Sequence, residues 1–205
     1  MLRWIRYATW AAIAVVAVLT LAVTGGWMVT DGPLALRGPQ TTEPLALGGA
    51  FSLTDHRRRA VTERDFVGRP MAIFFGFTYC PSVCPTTLAD ISSFIEKLGP
   101  DADRMHWLFV GVDHERDTPE SMALYLESFD RRILGLAGTE QQVAQIAKAF
   151  KIYYAKVPLE GGSYTMDHTA LVMLLDARRN FAGSIDFKER DDVAVQKLRT
   201  VLARQ

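Results

Sequence analysis

Short apolar runs alternate with amphipathic stretches along most of the chain, and this pattern predicts strands that alternate with helices. The runs Met71 to Phe77 and Trp107 to Val112 are typical of strands that are buried on both faces. A segment with apolar residues at helical spacing follows the first run and reaches about Leu98, where Gly99-Pro100 ends it. This order indicates an α/β fold with a mainly parallel sheet that is covered on both sides.

Further elements are predicted on either side of these two strands. Phe51 to Leu53 and Ala60 to Thr62 predict a hairpin, and Thr118 and Thr139 are typical caps of helices that follow them. The C-terminal part predicts, in order, a strand at Ile152 to Lys156, a polar insert at Leu159 to Thr165, strands at Ala170 to Leu175 and Phe181 to Ile185, and a helix at Val193 to Leu202.

An uncharged apolar stretch at residues 7–30 predicts a transmembrane helix. At 1.5 Å per residue it is long enough to cross a hydrocarbon core of roughly 30 Å. Because Arg3 and Arg6 precede the stretch, the positive-inside tendency keeps the N-terminus in the cytoplasm. A cleaved signal peptide is the alternative, but its apolar region is normally shorter and is followed by a small-residue cleavage site, which LAVTGGW lacks.

Composition indicates one ordinary globular domain outside the membrane, with 49% hydrophobic and 22% charged residues. Removing Arg3 and Arg6 from the 23 basic residues leaves 21 against 23 acidic residues, a balance that argues against nucleic acid as a partner. We therefore predict an N-terminal membrane anchor at residues 1–30, a linker at 31–49 and one domain at 50–205. The protein would be a single-pass protein of the bacterial inner (cytoplasmic) membrane, with this domain in the periplasm or outside the cell.

Both cysteines lie in MAIFFGFTYCPSVCPTTL, where the first buried strand meets the helix that follows it. Cys80 and Cys84 are four residues apart, so on a helix they would share one face with alpha carbons about 6 Å apart, near the upper limit for a disulfide. Pro81 suits a first helical position, where free N–H groups favour thiolates. The pair can form a redox disulfide or hold a metal, whereas a purely structural disulfide would close too short a loop to add much stability.

Histidine is the residue to look for next, because two thiolates and an imidazole form a soft site that suits copper, above all Cu(I). His168 stands at the mouth of a predicted strand, and loops at strand ends are where sites converge. His114 follows the second buried strand and is the competitor. His56 and His106 fit a polar turn and a strand start, and we expect neither at the site.

The motifs GFTYCPSVCPTTL, VDHERDTPE and DHTALVMLLD resemble those of the Sco/SenC proteins, which are membrane-anchored, thioredoxin-like copper chaperones for cytochrome c oxidase assembly. The resemblance runs from about Phe51 to the C-terminus. It implies a thioredoxin-like fold with an N-terminal β-hairpin extension and an insert before the last hairpin, preceded by one transmembrane helix. It also implies that Cys80, Cys84 and His168 are copper ligands and that Asp113 is an acidic residue beside the site.

The sequence departs from the family pattern at two places. His114 stands where the family usually has proline, so a second imidazole is expected near the site. The turn Arg57-Arg58-Arg59 replaces a glycine-containing turn. Asp113 is either a loop cap or takes part in copper transfer. The partners that the resemblance implies are the copper-bearing subunit of cytochrome c oxidase and, beside it, other copper chaperones or thiol-disulfide oxidoreductases.

Three functions are compatible with a dithiol at a helix start. The first is a metallochaperone, not an enzyme in the ordinary sense, that binds one copper ion, Cu(I) or Cu(II), and delivers it to the binuclear copper centre of an oxidase subunit. The second is a thiol-disulfide reductase that keeps an acceptor's cysteines reduced. Thioredoxins, however, have two residues between their cysteines and a cis proline opposite the site, where His168-Thr169 stands here. A peroxide-reducing enzyme would place threonine at the position of Phe77. We therefore predict the metallochaperone.

Overall fold

The computed structural model describes residues 2–26 and 47–204 of the chain. The chain divides into two units, Met1–Thr42 and Glu43–Gln205. The first unit contains the helix α1 (Leu2–Gly26). Within the part of the chain that the structure describes, no helix is both long enough and apolar enough to cross a membrane. Most of the predicted linker, residues 31–46, lies outside the described residues.

The second unit contains a large mixed sheet and a separate hairpin. Its strands are β1 (Ser52–Asp55), β2 (Ala60–Thr62), β3 (Met71–Gly76), β4 (His106–Gly111), β5 (Ile133–Ala137), β6 (Tyr154–Pro158), β7 (Tyr164–His168), β8 (Leu171–Leu175) and β9 (Phe181–Asp186). Within residues 47–204, seven strands form one sheet in the order β2-β1-β5-β4-β3-β8-β9, and β6 pairs with β7 alone.

The sheet is not mainly parallel, and this prediction is wrong. Only the pairs of β4 with β3 and with β5 are parallel, while the other pairs among the described strands are antiparallel. The reason is that hairpins extend the sheet at both edges, and an alternation of strands and helices does not reveal the direction of strands added in this way. The strands β3 and β4 are nevertheless parallel neighbours, and the candidate site residues Cys80, Cys84, Asp113 and His114 follow their carboxyl ends.

Within residues 47–204, four α-helices accompany the sheet: α2 (Val83–Leu98), α3 (Pro119–Leu126), α4 (Glu140–Ala149) and α5 (Asp191–Leu202). Every residue of β3 is buried, so this strand is covered on both faces, as its apolar run predicts. The predicted helix starts are confirmed as well. The side chain of Thr118 accepts a hydrogen bond from the Ser121 N–H group, and that of Thr139 accepts one from Gln142.

Two of the strands, β5 and β7, were not predicted from the sequence. The strand β5 has a glycine at its centre, which weakens the strand signal. A Cβ at Gly135 would lie 2.6 Å from Leu126 Cδ1, so this glycine lets α3 approach the strand closely. The strand β7 reads YTMDH, and its side chains are half-buried or exposed. It lacks the apolar pattern by which a buried strand is recognised.

Candidate metal centre

The two cysteines lie on different elements at the carboxyl end of β3. The helix α2 begins at Val83, so Pro81 is not its first residue and Cys80 lies in the preceding turn. The N–H group of Cys80 donates to the Phe77 carbonyl oxygen at 3.2 Å. Cys84 lies in the first turn of α2 and donates its N–H group to Cys80 Sγ at 3.3 Å. The prediction that the cysteines share a helical face is therefore wrong. A free N–H group at the helix start points at the sulfur in the turn.

The side chain of His168 completes the arrangement from the end of β7. Its Nε2 atom lies 3.6 Å from Cys84 Sγ, and its Nδ1 atom lies 3.1 Å from the Thr169 carbonyl oxygen. Because a carbonyl oxygen can only accept, Nδ1 carries the proton and Nε2 presents a lone pair. The rings of Phe74 and Phe77 pack edge-on against the imidazole, with centroids 6.2 Å and 5.8 Å away. These contacts orient the imidazole toward the cysteines.

Cys80, Cys84 and His168 form the one group of three or more potential metal ligands among residues 2–26 and 47–204. Their ligand atoms all lie within 4.8 Å of one another. This separation is about twice a metal–sulfur bond of about 2.3 Å, so a single ion could contact all three. Both cysteines are free thiols, Cys84 buried and Cys80 half-buried. Thiolate and imidazole donors suit soft ions such as Cu(I) and Zn²⁺.

The two thiols differ in their affinity for protons. The hydrogen bond from the Cys84 thiol lowers the pKa of Cys80 most, and hydrogen bonds from backbone N–H groups contribute to bringing that pKa to about 3, although burial opposes the shift. The hydrogen bond to Cys80 and complete burial both raise the pKa of Cys84. At neutral pH the group therefore holds one thiolate and one thiol.

Asp113 and His114 follow β4 and lie outside the group of three ligands. The buried carboxylate of Asp113 pairs with Arg116 and accepts a hydrogen bond from the Tyr164 hydroxyl at 2.9 Å. The Arg116 guanidinium lies over the Tyr164 ring, 3.8 Å from its centroid. These contacts fasten the β6–β7 hairpin, which carries His168, to the loop after β4. A direct role of Asp113 or His114 toward a metal stays a prediction.

Asp117 is a structural residue of the site that sequence reasoning missed. Its carboxylate is buried, and it accepts hydrogen bonds from the N–H group of Thr78 at 2.9 Å, from the Thr78 hydroxyl at 2.7 Å and from the Asp113 N–H group at 3.1 Å. It thereby joins the loop before the cysteines to the loop after β4. Burial raises the pKa of Asp117 to about 6, although these hydrogen bonds oppose the shift.

Replacing Asp117 with asparagine is expected to change how stability depends on pH. The pKa of this carboxyl is about 6 in the folded protein against 3.8 as its ordinary value. The folded state therefore binds the proton more tightly than the unfolded state. The free energy of unfolding rises as the pH falls from about 7 to 4, and this added stability is lost as the pH rises through 6. Wild type should gain about 2.4 kcal/mol relative to Asp117→Asn over this range, measured by urea unfolding at each pH.

The control for this measurement is Asp176→Asn. Hydrogen bonds from Asn180 and from backbone N–H groups hold the pKa of Asp176 below its ordinary value despite partial burial. Its contribution to stability is therefore lost as the pH falls, which is the opposite sign. A difference between wild type and Asp117→Asn that stays constant from pH 7 to pH 4 would contradict the prediction.

The chain is similar to known proteins over most of its length. The family model described as SCO1/SenC matches residues 39–203. The human mitochondrial protein SCO1 homolog is 39% identical over 139 residues, which covers 65% of this chain and 45% of that protein. The mitochondrial SCO2 homolog of Bos taurus is 36% identical over 171 residues, covering 80% of this chain and 64% of that protein. The chain thus spans roughly half to two thirds of these relatives.

Solved structures are similar in fold. The structure of Bradyrhizobium japonicum ScoI with copper bound has 43% sequence identity and a TM-score of 0.72, and the match covers 76% of this chain and 99% of that chain. Yeast Sco1 with copper bound has 29% identity and a TM-score of 0.72, with 78% of this chain and 90% of that chain covered. The mixed α/β, thioredoxin-like fold that the sequence motifs imply is thereby confirmed.

Proposed function

Because the chain belongs to the SCO1/SenC family, we propose that it is a metallochaperone that binds one copper ion and delivers it during cytochrome c oxidase assembly. The observation that carries this proposal is the group formed by Cys80, Cys84 and His168, whose ligand atoms lie within 4.8 Å of one another. Two thiolates and an imidazole are the donors that Cu(I) prefers. The bacterial and yeast structures with copper bound support the same cargo here.

Delivery requires that the copper ion can leave the site, and the donor set favours this. Two sulfurs and one nitrogen leave a coordination position for an incoming ligand. Cys84 is buried, whereas Cys80 is half-buried, so an acceptor's thiolate would approach from the Cys80 side and replace the ligands one at a time. Loading the site with copper expels the proton of the Cys84 thiol, because the metal binds the thiolate.

The proposed acceptor is the binuclear copper centre of the copper-bearing oxidase subunit, which the motifs imply. We further propose that residues 7–30 anchor the protein in the bacterial inner membrane, with the copper-binding domain in the periplasm. The uncharged run in the sequence supports this placement. Confining donor and acceptor to one membrane raises their effective concentration.

The test is an anaerobic titration of the full chain with Cu(I) against a competing chelator, followed by mixing with the copper-free oxidase subunit. We expect one tightly held equivalent of copper, which moves to the subunit when the two proteins meet. The proposal fails if the reduced protein does not compete for copper. Binding without movement to the subunit would limit the function to copper storage.

A thiol-disulfide reductase is the second candidate, and the inequality of the two thiols favours it. A thiolate at Cys80 beside a neutral thiol at Cys84 is the state in which a dithiol attacks a disulfide and then resolves it. The reduction potential of the pair decides between the candidates, because a tenfold change in the exchange equilibrium corresponds to about 30 mV for two electrons. A potential less negative than that of the acceptor's disulfide would exclude the reductase.

A further inference from the structure

A cleft of about 630 Å³ opens at the end of the sheet that lies away from the cysteines. It is bounded by the β1–β2 turn, the 3₁₀ segment Glu63–Phe66 and the starts of β4 and β5. The parallel strands β3 and β4 each have six residues, so their two ends are separated by about 17 Å at about 3.3 Å per residue. The cleft is therefore distinct from the candidate metal centre.

Arginine side chains dominate the charge of this cleft. Five of them line it: Arg57, Arg59, Arg69, Arg131 and Arg132. The two carboxylates of the lining, Asp65 and Asp103, are already engaged. Asp65 accepts a hydrogen bond from the Thr62 N–H group at 2.6 Å, and Asp103 lies 3.4 Å from Arg132. The formal balance of the lining is thus +3, and it falls to +1 once Asp55 and Asp130, which pair with Arg59 and Arg132, are included.

Several of these guanidinium groups have no carboxylate partner. Arg59 is compensated by Asp55 at 2.8 Å, and Arg132 by Asp130 at 2.9 Å. Among the residues that the structure describes, no ion pair is made by Arg57, Arg69 or Arg131. Three guanidinium groups without an ion pair around one concavity attract anions, even though Asp130 lies beside Arg131 and lowers the local field there.

Arg69 is held in place without being neutralised. Its Nη1 atom donates to the Asp103 carbonyl oxygen at 3.1 Å, and its Nη2 atom lies 3.4 Å from His106 Nδ1. Burial, and secondarily Arg69 itself, lowers the pKa of His106 to about 4, so the imidazole is neutral at pH 7 and can accept a hydrogen bond. Phe66 packs edge-on against this imidazole at 5.3 Å between centroids. The guanidinium is oriented in advance and keeps its charge.

We propose that this cleft binds a phosphate-bearing anion. Guanidinium groups present paired N–H donors that match the oxygens of a phosphate, and several of them together favour a ligand with more than one negative charge. The volume lies within the range of about 300–1,000 Å³ that small-molecule sites occupy, so the phosphate can carry an organic group or a second phosphate. A soluble phosphate compound and a phospholipid headgroup offer the same chemistry.

The test uses the full chain in an uncharged detergent. One arm titrates it with pyrophosphate by calorimetry, and the other adds phosphatidylglycerol to the micelles, with zwitterionic phosphatidylcholine as reference. The variant Arg57→Gln/Arg131→Gln removes two of the unpaired guanidinium groups. The matched control Arg178→Gln/Arg204→Gln removes the same charge from two exposed arginines outside the cleft.

We expect the first variant to bind at least one of the two probes about tenfold more weakly than wild type, while the control changes by less than about twofold. The arm that responds identifies the source of the phosphate. Equal weakening in both variants, or no binding in either arm, would overturn the proposal. Cu(I) binding by both variants should match wild type, so the anion site and the proposed copper function are tested separately.

Discussion

The variant Cys84→Ser is expected to bind Cu(I) more than about 100-fold more weakly than wild type. Cys84 Sγ is fully buried beside the imidazole of His168, with Nε2 at 3.6 Å, and the ligand group among the described residues contains no other donor that could replace it. A serine hydroxyl is a hard oxygen that stays protonated at neutral pH, so it cannot serve a soft monovalent ion. Anaerobic competition with a Cu(I) chelator measures the loss.

Two histidine variants serve as matched controls for this measurement. His168→Ala should weaken Cu(I) binding by roughly 10- to 100-fold, less than the cysteine variant, because both sulfurs remain. His114→Ala removes an imidazole that lies outside the ligand group and should leave the affinity unchanged. If Cys84→Ser bound Cu(I) as tightly as wild type, Cys84 would not be a copper ligand. A loss of affinity in His114→Ala would instead give this second imidazole an accessory role.

In the copper-free protein, Cys80 is expected to react with iodoacetamide more than about 100-fold faster than Cys84 at pH 7. The pKa of Cys80 is lowered to about 3, chiefly by the hydrogen bond from the Cys84 thiol, so its thiolate persists above that pH. The rate should therefore be nearly constant from pH 5 to 8 and fall only as the pH approaches 3. An ordinary thiol, with a pKa of about 8.5, would react roughly tenfold faster per pH unit over most of this range.

The measurement is mass spectrometry of the two cysteine peptides after timed quenching. The variant Cys84→Ala provides the control, because it removes the thiol whose hydrogen bond lowers the pKa of Cys80 most. In this variant the reaction of Cys80 should regain a dependence on pH. A tenfold increase per pH unit in wild type would contradict the expected thiolate, and with it the argument for a reductase.

The residues of the candidate site could be predicted from the sequence because their chemistry is local. Cys80 and Cys84 follow β3 directly, and His168 precedes β8. Because β8 runs antiparallel to β3, the start of β8 lies beside the end of β3, so the three side chains meet although the sheet was predicted to be mainly parallel. The caps at Thr118 and Thr139 follow from side-chain chemistry within four residues, and these local patterns also fold as predicted. That the three residues hold copper is a proposal, for which the titration is the test.

The features that the sequence did not predict depend on contacts between distant segments, which no local pattern encodes. The stacking of Arg116 on Tyr164 joins residues 48 apart along the chain, and in the sequence each is simply a polar residue of a loop. The prediction that both cysteines lie on one helical face was wrong, because α2 begins at Val83, after the turn that contains Cys80. In the same way, β7 exists because β6 provides its partner, although its own sequence has little strand character.

The β6–β7 hairpin carries His168 outside the main sheet, so the retention of an ion and the stability of the fold would depend on different contacts. Among the described strands it forms no ladder with the seven-stranded sheet, and β6 has no fully buried residue. It is fastened instead by side-chain contacts such as those of Arg116 and Tyr164. Regions with few buried contacts open at a lower free energy than the global unfolding of the protein. Under the proposed copper function, the residence time of the ion would depend on the hairpin that carries His168, whereas the lifetime of the fold depends on the sheet. Substitutions in the hairpin would then change how long the ion is held while the sheet that presents the cysteines stays intact.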